Sequence, residues 1–213
     1  MPAADAPRTP WILGVSGASG TPYAAAVLRA LCDAGQAVDL VVSRAARLTI
    51  LDETGQAFRD AHWREDLAAW LGVPVDGADL RYWPAGDLAA GPSSGSYRAR
   101  GMIVVPASTA ACAGIALGLS KDLLQRAAEV NLKERRPVVI VPRETPVTRS
   151  HLLHLVELID SGAVVLPASP GFYGSGADAT AQQLIDFVAG KVLDAAGVPH
   201  TLLTRWIGHL GHR

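Results

Sequence analysis

The sequence predicts an α/β fold: one domain with a parallel sheet between two layers of helices, three layers in all. Three observations carry this expectation. Short apolar runs alternate with helical stretches, opening strand–turn–helix–strand–helix, and such alternation implies a parallel sheet with helices on both faces. Apolar side chains make up 49% of the 213 residues and charged ones 18%, which supports a large core and is incompatible with global disorder. Each predicted strand ends in small, polar or charged residues, as in open parallel sheets that bind ligands at the carboxyl ends of their strands.

The elements follow in order. Residues 1–10 (MPAADAPRTP) read as a flexible tail, and residues 11–15 (WILGV) as a short buried strand. A turn over 14–20 (GVSGASG) leads into a helix over 22–34, ended by Gly35. Residues 37–43 form the second strand and 44–54 a helix. The stretch 56–100 is less regular. It holds Trp63, Trp70 and Trp83, a helix near 62–71, and the Gly/Ser-rich loop 92–96 (PSSGS). Order returns with a strand over 101–105, helices over 109–117 and 119–135, a strand over 137–141, a helix over 151–161, a strand over 163–166 and a closing helix over 179–195. The domain proper spans 11–196, and 197–213 form a C-terminal tail. No internal repeat or second domain is evident.

Nineteen basic and twenty acidic side chains leave a net charge of −1, without the basic surplus of a nucleic-acid or polybasic membrane binder. Cys32 and Cys112 are the only cysteines and form no CxxC, which argues against a disulfide framework or a cysteine zinc site. The first ten residues have no apolar h-region, so no secretory signal is read and a cytoplasmic location is expected. The uncharged stretch 101–120 imitates a membrane span, but Pro106, Ser108, Thr109 and three glycines interrupt it. A strand, turn and helix account for it better.

The strand ends gather the polar residues: Gly17, Ala18, Ser19 and Gly20 after the first; Ser43 after the second; Ser108 and Thr109; Arg143 and Glu144; then 170–173 (PGFY). The first loop is GxxGxxG, not GxGxxG. Its glycines permit tight turning, and the helix N-terminus after it offers free N–H groups to phosphate. Asp39 lies early in the second strand and Ser43 at its end, which suits an anion or a flavin edge better than an adenosine ribose. No Walker lysine is present. Arg126 and Lys133 are seven apart and share a helix face, with Glu129 between them: a surface salt-bridge ladder, or a cationic wall for a phosphate. Arg143 could fork onto a phosphate, and Glu144 could move protons or cap a turn near Pro146. His151 and His154 lack a third ligand for a metal, and the histidines of the tail (His200, His209 and His212) read as solvated.

Taken together, GVSGASGTPY (14–23), VSRAA (42–46), SGS (94–96), LLQRAAEVNLKERRPVVIVPR (123–143) with the following ETP, GAVVLPASPGFY (162–173) and Arg205-Trp206 resemble the UbiX-type flavin prenyltransferase family. The resemblance covers most of the chain and is weakest over 56–91. It implies a flavodoxin-like (Rossmann-like) α/β fold that binds reduced FMN as a substrate and needs no metal. A dimethylallyl group would pass from dimethylallyl phosphate to flavin N5 and C6. The product, prenylated FMN, would serve a UbiD-type decarboxylase. The resemblance also implies a homododecamer with sites shared between subunits, the tail contributing to site or oligomer.

By position, Gly17, Ala18, Ser19, Ser43, Ser108, Thr109, Ala110, Ala111 and Arg143 would hold FMN. Ser94, Arg126, Lys133, Glu144, Tyr173 and Lys191 would surround the prenyl phosphate, with Trp206 as an aromatic face. Glu144, Lys133, Arg126 and Ser19 would act in catalysis: the cations on leaving-group charge, Glu144 on a proton during ring closure, Ser19 as a relay near N5. Two departures stand out. Lys191 replaces a frequent arginine and loses its fork, and Leu88 stands where some members carry tryptophan. Two other readings compete. One is an FMN-dependent cysteine decarboxylase of the phosphopantothenoylcysteine type, although the motif Pro106-Ala-Ser-Thr-Ala-Ala111 lacks that family's asparagine. The other is a non-catalytic FMN carrier or decarboxylase subunit, which would not need Arg126, Lys133 and Glu144.

Overall fold

A computed structural model of the chain describes residues 8–172, 178–205 and Gly208. Six parallel strands, β1 (Trp11–Val15), β2 (Val38–Val42), β3 (Leu80–Tyr82), β4 (Gly101–Ala107), β5 (Val138–Pro142) and β6 (Val164–Val165), form one sheet in the order β3-β2-β1-β4-β5-β6. Among the described residues seven α-helices cover it: α1 (Thr21–Asp33), α2 (Arg44–Thr54), α3 (Trp63–Leu71), α4 (Thr109–Ala116), α5 (Leu123–Lys133), α6 (Arg149–Asp160) and α7 (Ala181–Ala196).

Strand alternation sorts the core into two halves. Trp11, Leu13 and Val15 point to the face covered by α1, α2, α3 and α7, where they meet Leu28, Leu31, Ile50, Leu67, Val192 and Leu193. Ile12, Met102, Val104 and Ile140 point to the other face and pack on Ile115, Leu123, Leu124 and Leu158 of α4, α5 and α6. The expected three layers are present. The uncharged stretch 101–120 divides between β4 and α4, and among the described residues no helix is long and apolar enough to cross a membrane.

One strand escapes the sequence reading. β3 is three residues long, lies in the irregular stretch, and borders the sheet beside β2. Without it the remaining five strands run in the flavodoxin order 2-1-3-4-5; with it the order is that of a six-stranded doubly wound sheet. Its edge is braced by Asp39, which is fully buried on β2. The Asp39 carboxylate accepts from Arg8 (2.5 Å), Trp83 Nε1 (2.9 Å) and the Tyr97 hydroxyl (2.6 Å). Asp39 therefore serves the sheet edge and lies away from the strand ends. Residues 8–10, expected to belong to a flexible tail, are instead tied down: Arg8 also pairs with Asp79, and the Pro10 carbonyl accepts from Arg100 N–H.

A second correction concerns the C-terminus. His200, read as solvated, has only 2% of its side chain exposed and contacts Asp194 of α7. The tail up to Arg205 folds back on that helix through the same carboxylate. His209 and His212 lie outside the described residues.

Candidate active site

The strand order reverses between β1 and β4, so the loops after these two strands diverge and open a crevice. Ser16 joins its two rims. Its hydroxyl donates to the Pro106 carbonyl (2.8 Å) and accepts from Ser108 N–H (2.7 Å). The next residue must be glycine, because a Cβ at Gly17 would stand 2.4 Å from that of Ala45. Gly20 closes the turn at φ 111°, a conformation that L side chains rarely adopt. Ser43 and Ser108 are the N-caps of α2 and α4; each hydroxyl accepts from the N–H three residues on, at 3.1 Å. The starts of α2 and α4 thus lie at the crevice with their capping hydroxyls, and the Thr109 and Ala110 N–H groups of the first turn of α4 have no partner within the helix. Arg143, at the end of β5, crosses to the first loop and donates from Nε to the Ser19 carbonyl (3.0 Å).

This brings Gly17, Ala18, Ser19, Ser43, Ser108, Thr109, Ala110, Ala111 and Arg143 to one edge of the sheet. Small residues, capping hydroxyls, free helix N–H groups and one guanidinium fit a phosphate-bearing planar ligand such as FMN. Glu144 follows Arg143 and lines, with Thr109, Cys112, Val147, His151, Leu152 and Leu155 among others, a cavity of ≈ 210 Å³. The walls are mostly apolar. Burial pushes the Cys112 thiol up to about 12, so at neutral pH it is protonated and no nucleophile. His151 is committed to the start of α6: its Nδ1 accepts from Thr148 N–H (3.2 Å) in a reciprocal cap.

Arg126 and Lys133 do share one face of α5, and both meet the loop that carries Ser94. Arg126 Nε donates to the Ser93 carbonyl (3.1 Å). A Cβ at Gly95 would stand 2.8 Å from Lys133 Nζ. The ladder differs from the expected one. Arg126 pairs with Glu129 (3.1 Å), whereas Lys133 pairs with its neighbour Glu134 (2.5 Å). The Ser120 hydroxyl and the Arg126 guanidinium outweigh partial burial and hold Glu129 below the usual carboxylate range. Ser94 Oγ lies 2.9 Å from Ser96 Oγ.

Lys191 is not brought to this face. It sits on α7, across the sheet from α5, and comes within 3.9 Å of Asp194. Tyr173 and Trp206 lie outside the described residues. Leu88 is half exposed.

Glu53 was not legible as a site residue. It projects from the end of α2 to the start of α1, more than thirty residues back. It accepts from Gly20 N–H (2.8 Å), Thr21 N–H (2.8 Å), the Thr21 hydroxyl (2.7 Å) and the Ser19 hydroxyl. Burial alone would raise its pKa, but these hydrogen bonds prevail and hold it below the ordinary glutamate range. No local motif announces such a contact.

A family profile described as Flavoprotein matches residues 2–193. Fold, crevice and profile define a doubly wound flavoprotein. Among curated relatives, "Flavin prenyltransferase UbiX" of Streptomyces coelicolor is 65% identical over 211 residues, 95% of this chain and 97% of the relative. The solved structure of AnUbiX (PadA1) in complex with FMN and dimethylallyl pyrophosphate is 36% identical, with a TM-score of 0.82 over 95% of this chain and 99% of that one. A dodecameric FMN-dependent UbiX-like decarboxylase from Escherichia coli O157:H7 is 37% identical, with a TM-score of 0.81 over 94% of this chain and 100% of that one. The chain belongs to the UbiX flavin prenyltransferase family. The FMN-dependent cysteine decarboxylase TvaF, at 14% identity and a TM-score of 0.57, shares the fold alone.

Proposed function

We propose that the chain is a flavin prenyltransferase that moves a dimethylallyl group from dimethylallyl phosphate onto N5 and C6 of reduced FMN. Its product, prenylated FMN, passes to a UbiD-type decarboxylase. The observation that favours this over a flavin carrier is the apolar cavity opening beside Thr109, with Glu144 in its wall. A carrier needs the cradle but neither that cavity nor the cationic face of α5.

When bound, reduced FMN supplies the nucleophilic nitrogen and carbon. The remaining work falls to the chain. Gly17, Ala18, Ser43, Ser108 to Ala111 and Arg143 orient the flavin and bind its phosphate. Arg126, Lys133 and Ser94 grip the prenyl phosphate, and the two cations offset charge that grows on it as the C–O bond breaks. Glu144 handles the proton released at ring closure, where an apolar wall favours transfer over leakage to water. Ser19 hands a proton from the N5 side to Glu53, which is ionised at neutral pH and already accepts its hydroxyl hydrogen.

The working form is a homo-oligomer, as in the dodecameric relative. Leu152, Leu153, Val156 and Ile159 of α6 are each about half exposed and offer an apolar surface to a second copy. A second copy also brings a Lys191 toward an Arg126–Lys133 face that its own chain cannot reach.

The test is anaerobic. The protein is incubated with reduced FMN and dimethylallyl phosphate, and in parallel with the diphosphate, and the released flavin is weighed by mass spectrometry. A flavin heavier by one five-carbon unit is expected. Unmodified flavin with both donors, with FMN still retained, sinks the proposal and leaves a carrier.

A further inference from the structure

The α7 cluster carries an inference about donor binding, and it rests on the prenyltransferase reading above. We propose that Arg205 is a second cationic ligand for the phosphate of the prenyl donor, aligned beside Lys191 by Asp194.

The geometry is specific. Arg205 NH2 lies 2.8 Å from Asp194 Oδ1, and NH1 lies 3.3 Å from Oδ2, a forked contact. Lys191 Nζ approaches the same Oδ2 at 3.9 Å. The two cationic groups thus meet at one oxygen, although they are 14 residues apart in sequence. His200 braces the arrangement from the buried side. Its Nε2 lies 3.1 Å from Asp194 Oδ1, and its Nδ1 accepts from Leu202 N–H (3.2 Å). Lys191 and Arg205 thus set two cations against the single carboxylate of Asp194, and the cluster keeps a positive surplus.

That surplus faces solvent. Arg205 and Lys191 have side-chain exposures of 60% and 51%, whereas Asp194 is 26% exposed. Among the described residues, Arg205 Nε has no partner, so the guanidinium retains donors for another anion. The Asp194 carboxylate repels an incoming phosphate, but it also fixes two long side chains that would otherwise lose rotamer freedom on binding. A lone lysine at the phosphate is a point charge without a fork. The guanidinium beside it restores the planar, paired donors that phosphate oxygens accept.

The test compares Arg205→Gln, Asp194→Asn and Lys191→Ala with the wild type, all as FMN-loaded assemblies. Readouts are anaerobic steady-state kinetics and calorimetric binding of dimethylallyl phosphate. Arg205→Gln is expected to raise the donor's KM and dissociation constant about tenfold, the scale of a charge-assisted hydrogen bond, while FMN retention stays close to wild type. Asp194→Asn frees Arg205 but keeps its charge, so its effect is expected to be markedly smaller. Equal losses in Arg205→Gln and Asp194→Asn would show that Arg205 only clasps the tail, and would overturn the proposal. So would unchanged donor binding in Arg205→Gln when Lys191→Ala weakens it. If the wild type binds FMN but makes no prenylated flavin, the reading beneath fails, and calorimetry still reports whether Arg205 binds the phosphate ester.

Discussion

Lys133 and Arg126 lie on one face of α5, yet they are held differently, and the difference bears on what each can do. Arg126 is pinned by the Ser93 carbonyl and Glu129, so it is preorganised. Lys133 is about half exposed and, among the described residues, pairs with Glu134, whose pKa it lowers through a hydrogen bond and its charge. Such an exposed pair contributes little to stability, so Lys133→Ala is expected to leave the melting temperature nearly unchanged. The KM for dimethylallyl phosphate should rise at least about tenfold, with FMN retained on a desalting column. Glu53 makes a prediction about acid. Its pKa is lowered by folding, so its stabilising contribution is complete above the ordinary glutamate value of 4.5 and is lost as pH falls through the depressed value. Thermal melts should show Glu53→Gln less stable than wild type at neutral pH and the gap closing in acid. A gap that persists unchanged in acid would show that the carboxylate's charge is not what holds the loop.

At the scale of elements, the strongly periodic segments were readable and the edges were not. The strands over 11–15 and 101–105 and the helices around them stand out because their apolar runs are long and bounded by turn residues. β3 has three residues, only one of them buried, and its placement is decided by Asp39 and β2 rather than by its own pattern. The cradle was legible because glycines and capping serines follow apolar strands directly. Glu53 and the Asp194–His200 contact were not, since each depends on packing between elements distant in sequence. The importance of the β3 edge is measurable. Asp39→Ala leaves Arg8, Trp83 and Tyr97 without their shared acceptor and is expected to cost about 3–5 kcal/mol in urea unfolding. On α6, Ile159→Glu places a charge on the exposed apolar face and should shift the assembly toward smaller species in sedimentation while leaving far-UV dichroism intact.

For the whole molecule, the two layers of helices divide the labour. α4, α5 and α6 carry the cavity, Arg126 and Lys133, whereas α7, on the opposite side, carries Lys191 and the Asp194 that holds Arg205 of the following segment. The proposed site draws on both and takes them from two copies. Lys133→Ala and Lys191→Ala, each impaired alone, should therefore recover part of the lost turnover when unfolded and reassembled together. Separate oligomers of the same two variants, mixed without exchange, should not. Recovery absent in the co-assembled sample would place each site within one chain.

The Ser16 bridge has a further consequence for the crevice. Because one hydroxyl ties the β1 loop to the start of α4, its two rims are braced against each other, and a displacement of one is passed to the other.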